Sequence, residues 1–199
     1  MKRVSLCILA ILTLIAGTLW GLSETIRGDE MAPSIMAGDR VWAVPLDEIH
    51  AGDVVILADP LDRGSAILRR VLAVGGQSIS FKENVIRVDK RRLRAKAMGD
   101  MGPYLVTKET LWAKKPAVGV EWLVRHQAEP SSLWSSEPVE VPEGAVFLLA
   151  DDRDHAMDSR WWGPIATEQI RAVVRFRHGN PHTWRTKWEW MVGDAAFGE

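Results

Sequence analysis

The stretch Gly28-Asp29-Glu30-Met31-Ala32-Pro33-Ser34-Ile35-Met36-Ala37-Gly38-Asp39 divides the chain into two unlike parts. Before it, residues 4–22 carry no charged side chain. After it, short apolar and β-branched runs alternate with Gly, Asp and Pro, a pattern typical of strands joined by turns. The stretch therefore marks the point where an apolar N-terminal segment gives way to a polar, mainly β body.

The apolar segment predicts a membrane anchor. Roughly 20 apolar residues span a bilayer as a helix, so residues 4–22 are long enough for one transmembrane helix. The two basic residues before it predict a cytoplasmic N-terminus at residues 1–3, with the rest of the chain on the outer face. A cleaved signal peptide is the alternative, since the small residues Gly21 and Ser23 could mark a cleavage site.

Composition limits the class of protein. The 199 residues can bury one sizeable core with room for a smaller lobe. A net charge of −1 lacks the basic excess typical of nucleic-acid binders, so no nucleic-acid partner is predicted. The single cysteine, Cys7, excludes an intramolecular disulfide. Ten tryptophans favour contact with membrane lipid, because the Trp ring suits the membrane–water interface.

The body of the chain carries strand signals and no sustained helical period. Strands are predicted at 40–44, 53–57, 66–74, 79–81, 85–88, 146–150 and 169–176. The Trp-rich tail at 181–199 differs, because Trp184, Trp188 and Met191 recur at helical spacing. This spacing predicts a short amphipathic helix on the membrane, on a partner or on the protein's own body.

Strand signals weaken between residues 89 and 141, where a basic run extends from Lys90 to Lys96. The run predicts a solvated hairpin edge. Contact with anionic lipid headgroups is the main alternative.

Three blocks of sequence, at 28–39, 67–78 and 146–164, resemble the signal peptidase I family of membrane-bound Ser/Lys peptidases. The family patterns are Gly-x-Ser-Met-x-Pro-Thr-Leu-x-x-Gly-Asp, Lys-Arg-Val-x-Gly-x-Pro-Gly-Asp and Gly-Asp-Asn-Arg-x-x-Ser-x-Asp-Ser-Arg. The framework positions retained here are Met31, Pro33, Arg70, Asp151, Arg153, Asp158, Ser159 and Arg160. Family members remove leader peptides from exported proteins.

The resemblance implies a signal peptidase I-like β-fold behind one N-terminal transmembrane helix. It implies a β core at 23–88 and 142–180, and a smaller inserted β-lobe at 89–141. It also implies a single-pass protein of the bacterial cytoplasmic membrane, with the bulk of the chain on the outer face and no cofactor.

The catalytic positions depart from the family pattern. The nucleophile serine is replaced by Glu30, the general-base lysine by Arg69, and the hydroxyl that orients the lysine by Ala156. A guanidinium stays protonated at any accessible pH, so Arg69 cannot accept a proton from a nucleophile. If the fold is the family's, Glu30 and Arg69 face each other and form a charge-assisted ion pair. The alternative is that both side chains point to solvent.

These replacements predict a pseudoenzyme that binds exported precursor proteins or an active signal peptidase. One alternative is an active signal peptidase with a rearranged site, such as a triad of His155 with Asp154 or Asp158 and with Ser34 or Ser159 as the nucleophile. Another is a structural membrane protein with a vestigial groove. The acidic residues of the third block do not have calcium-loop spacing, so no metal is predicted.

Overall fold

The computed structural model describes residues 23–45, 48–62, 64–112, 119–129, 134–179 and 188–190. The predicted N-terminus and transmembrane anchor lie outside these residues, as does most of the predicted tail. Within the described ranges, no helix has the length and apolar character needed to cross a bilayer.

The described residues form strands and almost no helix, which confirms the mainly β prediction. The strands are β1 (Glu24–Thr25), β2 (Arg40–Pro45), β3 (Val54–Ala58), β4 (Ala66–Val74), β5 (Ser78–Lys82), β6 (Val85–Val88), β7 (Arg91–Arg92), β8 (Arg94–Met101), β9 (Tyr104–Trp112), β10 (Gly119–Gln127), β11 (Ser136–Glu140), β12 (Ala145–Leu149), β13 (Ile165–Ala166), β14 (Ile170–His178) and β15 (Trp188–Trp190). A one-turn helix, α1, spans Ser159–Trp162, and a 3-10 turn covers Thr167–Gln169.

The strands form one large and two small sheets. The large sheet has the order β1-β2-β14-β3-β4-β12-β13, and β15 pairs with β14. The small sheets have the orders β10-β9-β8 and β11-β5-β6-β7. The hairpin of β5 and β6 turns at Glu83 and Asn84, whose positive φ angles of 48° and 64° suit a tight hairpin turn.

Strand β12 lies at the centre of the packing. Its run Ala-Val-Phe-Leu-Leu has no polar alternation, which is typical of a strand buried on both faces. Phe147 and Leu149 pack in one hydrophobic cluster, while Val146 and Leu148 pack in a second. The polar part of the third block, from Asp151, follows this strand closely, so the buried strand fixes where that loop starts.

The interval 89–141 shares its core with the strands around it. Strand β7 pairs with β6 and strand β11 with β5, while β8, β9 and β10 form their own sheet. The buried face of that sheet contributes Leu111 and Trp122 to the cluster that contains Phe147. The bounds of a separate lobe stay a prediction.

The helical prediction for the tail is wrong at residues 188–190, which form strand β15. Phe176 of β14 pairs with Trp190, and His178 pairs with Trp188. The two tryptophans also fit a period of two, and aromatic residues favour strands, so the sequence suits an edge strand on β14. The remaining residues of the predicted helix lie outside the described part of the chain.

Candidate functional site

Glu30 begins the turn that follows strand β1. Met31, within this turn, and Ile35, at its end, are buried in the hydrophobic core. The carbonyl oxygen of Glu30 accepts a hydrogen bond from the Asp152 amide at 3.0 Å, which ties the first block to the third. The backbone of Glu30 is therefore fixed, while its side chain is 48% exposed.

Arg69 lies on β4 and points to the same place. Its side chain is 4% exposed, and its Nη1 lies 3.5 Å from Oε2 of Glu30. The guanidinium also donates to the carbonyl oxygens of Met157 (Nε, 2.9 Å) and Leu68 (Nη1, 2.6 Å). Its centre lies 5.8 Å from the centre of the Trp162 ring. The structure thus brings Glu30 and Arg69 together as an ion pair.

The charge of Arg69 is balanced by its surroundings. Burial lowers the pKa of Arg69 from its ordinary value, and the negative charges of Glu30 and Asp158 oppose that shift. A guanidinium offers no lone pair for a proton, so Arg69 can donate hydrogen bonds but cannot act as a general base.

The positions beside the pair are apolar. Ala156 packs against the hydrophobic cluster that contains Met31 and Ala150, and Ala150 is fully buried. Neither side chain has a hydroxyl that could orient or activate another group. Pro33 is buried next to Met31 and follows a cis peptide bond.

Arg70 and Asp151 form a buried, bidentate ion pair behind the site. Nε and Nη2 of Arg70 donate to the two oxygens of Asp151 at 2.8 and 2.6 Å. Nη1 donates to the Gly52 carbonyl at 2.7 Å, and the guanidinium lies 5.2 Å from the centre of the Trp122 ring. The pair joins strand β4 to the end of β12.

The remaining framework residues of the third block hold its loop against β12. Asp158 caps helix α1 and accepts from the amides of Ala150 and Arg160, each at 3.1 Å. The Arg160 guanidinium donates to the same carboxylate at 2.9 and 2.8 Å. Ser159 is buried, and its Oγ accepts from the Leu148 amide at 3.0 Å. These contacts are structural.

Two further ion pairs involve residues that sequence reasoning missed. Arg153 pairs with Glu109 of β9, which also accepts from Nε1 of Trp122 at 2.9 Å. Arg125 of β10 donates to Asp152 through Nε and Nη2, at 2.9 and 2.6 Å. In both pairs an arginine or aspartate of the third block is fixed by a strand from the 89–141 interval.

The rearranged triad is not assembled. Nδ1 of His155 lies 3.1 Å from Asp152, and its Nε2 lies 2.8 Å from the side-chain nitrogen of Gln127. Ser34 donates instead to the Leu123 carbonyl at 2.8 Å, and Ser159 is buried against Leu148. Within the described ranges, no three His, Cys, Asp or Glu side chains form a group that could hold a metal ion.

Comparison with known proteins gives one family. The family model described as "Signal peptidase, peptidase S26" matches residues 1–179. The chain is 25% identical over 141 residues to signal peptidase I of Pseudomonas aeruginosa, covering 68% of this chain and 48% of that protein. It is 29% identical over 158 residues to signal peptidase I of Rickettsia prowazekii, covering 75% and 58%. The chain therefore spans about half the length of the Pseudomonas protein.

Two further proteins are similar. The probable signal peptidase I-1 of Synechocystis is 24% identical over 170 residues, covering 80% of this chain and 71% of that protein. A solved signal peptidase I from Enterococcus faecalis is 15% identical with a TM-score of 0.40, covering 64% of this chain and 97% of that one.

Proposed function

Since the chain belongs to the signal peptidase family of S26 peptidases, we propose that it is a membrane-associated member that binds exported precursor proteins without cleaving them by the Ser/Lys mechanism. The observation that carries this proposal is the contact of Arg69 Nη1 with Glu30 Oε2 at 3.5 Å. The Ser/Lys mechanism needs a hydroxyl at position 30 and an amine at position 69. This chain has a carboxylate and a guanidinium there, and the two groups pair with each other.

A retained binding surface is supported by strand β1, which ends the large sheet among the described strands. The Ile26 amide donates to the Asp39 carbonyl, and the Ile26 carbonyl accepts from the Gly38 amide, both at 2.8 Å. Alternate residues of an antiparallel strand direct their backbone groups to opposite sides, so the backbone of Thr25 faces the free edge. An extended peptide can add to such an edge as a further strand.

Cleavage of a standard signal-peptide substrate by the purified full chain in detergent tests the catalytic half of the proposal. We expect no turnover by the wild type at high protein concentration. Turnover that disappears in Glu30→Ala would overturn the proposal and make Glu30 catalytic. Turnover that survives Glu30→Ala would also contradict it, unless a contaminating peptidase is found in a mock purification.

The double variant Glu30→Ser/Arg69→Lys tests whether the groove is intact. It restores the dyad of the family, and Ala156→Ser adds the hydroxyl that orients the lysine. Measurable cleavage by the double or triple variant would support a retained groove. A well-folded triple variant with no activity would count against it.

Peptide binding itself is tested at strand β1 with a fluorescent signal-peptide segment. Thr25→Pro removes the N–H that faces the free edge, so it should weaken binding several-fold while leaving the pairing with β2 in place. Thr25→Ala is the matched control, because it keeps the N–H and changes the side chain alone. Equal affinities of the two variants would exclude this edge as the binding site.

A further inference from the structure

One face of the three-stranded sheet β10-β9-β8 carries a concentration of positive charge. An open hollow of about 680 Å³ lies over it. We name it the basic hollow; its lining residues are Arg92, Arg94, Ala95, Lys96, Lys108, Thr110 and Glu121. Four cations and one carboxylate give this lining a net charge of +3, whereas the whole chain has a net charge of −1. The charge is therefore segregated on this face.

The arrangement of the cations is unfavourable for the protein alone. Lys96 of β8 lies directly opposite Lys108 of β9 in the antiparallel register, so both side chains project from the same face. Like charges in that relationship destabilise a sheet. Glu121 offsets one of them, because Lys108 lies 2.8 Å from its carboxylate and lowers the pKa of Glu121. Three positive charges remain without a carboxylate in the lining of the hollow.

Protection of a sheet edge does not explain this pattern. Charged side chains on β8 would suffice to block edge-to-edge association, because β8 is the outer strand of the sheet. Lys108, however, belongs to the central strand β9, and Arg92 belongs to β7 of another sheet. The cations converge on one hollow from three strands, which is the arrangement expected of a surface that binds an anionic partner.

An aromatic side chain borders the hollow. Trp112 follows Lys108 and Thr110 at a period of two on β9, so it shares their face, and its side chain is 60% exposed. Arg92 lines both the basic hollow and a neighbouring pocket that includes Trp112. Tryptophan next to Arg and Lys suits the headgroup region of a membrane, where the ring and the cations have different preferred depths.

We propose that the basic hollow, with Trp112 at its border, binds the anionic phospholipid headgroups of the membrane surface. The cations would then be neutralised by lipid phosphates, which removes the repulsion between Lys96 and Lys108. The inference rests on the membrane association in the proposed function. It does not depend on peptide binding or on cleavage, which are tested by separate experiments.

The test uses the full chain reconstituted into nanodiscs of phosphatidylcholine alone or of equimolar phosphatidylcholine and phosphatidylglycerol. Lysine modification by an amine-reactive reagent is read by mass spectrometry at Lys96, with the exposed Lys82 as an internal control. Each cation at an anionic surface gains about 1 kcal/mol, so we expect modification of Lys96 to slow on the order of fivefold with phosphatidylglycerol. High salt should abolish the difference, and Lys82 should not change.

Charge reversal distinguishes the hollow from a general charge effect. Arg94→Glu should remove the lipid dependence at Lys96, whereas Arg171→Glu, the same change at an exposed arginine of the large sheet, should leave it intact. Equal Lys96 modification in the two lipids would overturn the proposal. Protection by a soluble acidic peptide, with none from phosphatidylglycerol, would also overturn it and assign the hollow to a protein partner. If the chain entered neither kind of nanodisc, both this proposal and the proposed membrane association would be contradicted.

Discussion

Arg69 and Glu30 form an ion pair in which the guanidinium is almost fully buried and the carboxylate is half exposed, with Nη1 and Oε2 separated by 3.5 Å. The guanidinium has two further acceptors, the backbone carbonyls of Leu68 and Met157. The main chain therefore holds Arg69 in place, and Glu30 adds a contact that solvent partly screens.

The two halves of this pair should contribute unequally to stability. Glu30→Ala should lower the free energy of unfolding by about 1 kcal/mol or less, because a half-exposed ion pair gains little. Arg69→Ala should cost roughly 2–4 kcal/mol, because it leaves a cavity and removes the donor from the buried contact with the Leu68 carbonyl and from the partly buried contact with the Met157 carbonyl. Denaturant unfolding of the detergent-solubilised chain, followed by tryptophan fluorescence, measures both. Equal costs would mean that Glu30 is the main partner of Arg69.

Arg70 and Asp151 should behave as a coupled unit. Asp151→Ala leaves the buried Arg70 guanidinium without its carboxylate, so we expect a loss of roughly 3–5 kcal/mol. The double variant Arg70→Met/Asp151→Leu removes both charges and should be more stable than Asp151→Ala. A double variant whose loss equals the sum of the losses of Arg70→Met and Asp151→Leu, each measured alone, would show that the pair is not coupled.

The sequence predicts the Glu30–Arg69 contact because both residues occupy positions of short local motifs. The resemblance to a known family then implies which positions of the separate motifs face each other in the fold. Strand β12 is likewise predictable, since a short apolar run without polar alternation is typical of a strand that is buried on both faces. These features depend on residues that are close in the sequence or fixed by pattern.

The buried contacts of the 89–141 interval were not predicted. Glu109 is 44 residues from Arg153, and Arg125 is 27 residues from Asp152, so no local motif joins the partners. A signal was nevertheless present: Glu109 shares a strand face with Leu111, so a charged residue falls on a core-facing position. A carboxylate in such a position needs a buried donor. The identity of that donor depends on the fold.

Substitution of Gly52 and of Gly144 by alanine allows the cost of a steric clash to be distinguished from the cost of backbone strain. Both have positive φ, of +97° and +75°. A Cβ at Gly52 would lie 2.4 Å from Cγ1 of Val120, whereas nothing lies within 4 Å of a Cβ at Gly144. Gly144→Ala should cost about 1 kcal/mol through backbone strain alone. Gly52→Ala should cost about 3 kcal/mol, because the clash adds to the strain.

The variant Gly52→Ala/Val120→Ala separates the two contributions. Truncation of Val120 makes room for the new methyl group, so the double variant should be less unstable than the sum of the single changes predicts. Thermal unfolding compared across the four proteins measures this coupling. A purely additive result would place the whole cost in the backbone conformation of Gly52.

His126 on β10 should make stability depend on pH in the weakly acidic range. Burial, and secondly the positive charge of Arg153, lower the pKa of His126 from its ordinary value of 6.5, while Glu109 and Asp154 oppose the shift. The folded state therefore binds fewer protons than the unfolded state as the pH falls below 6.5. The contribution of a neutral His126 is fully present above that value and is lost as the pH falls toward the lowered pKa.

Substitution of His126 by glutamine removes this titration and keeps a polar side chain of similar reach. The free energy of unfolding of the wild type should fall more steeply than that of His126→Gln as the pH drops from about 7 to about 5. The two proteins should show parallel profiles above this range, where the histidine is neutral in both states. Denaturant unfolding at a series of pH values gives the difference directly. Parallel profiles throughout would mean that His126 binds protons equally in the folded and unfolded chains, and that neither burial nor Arg153 controls its charge.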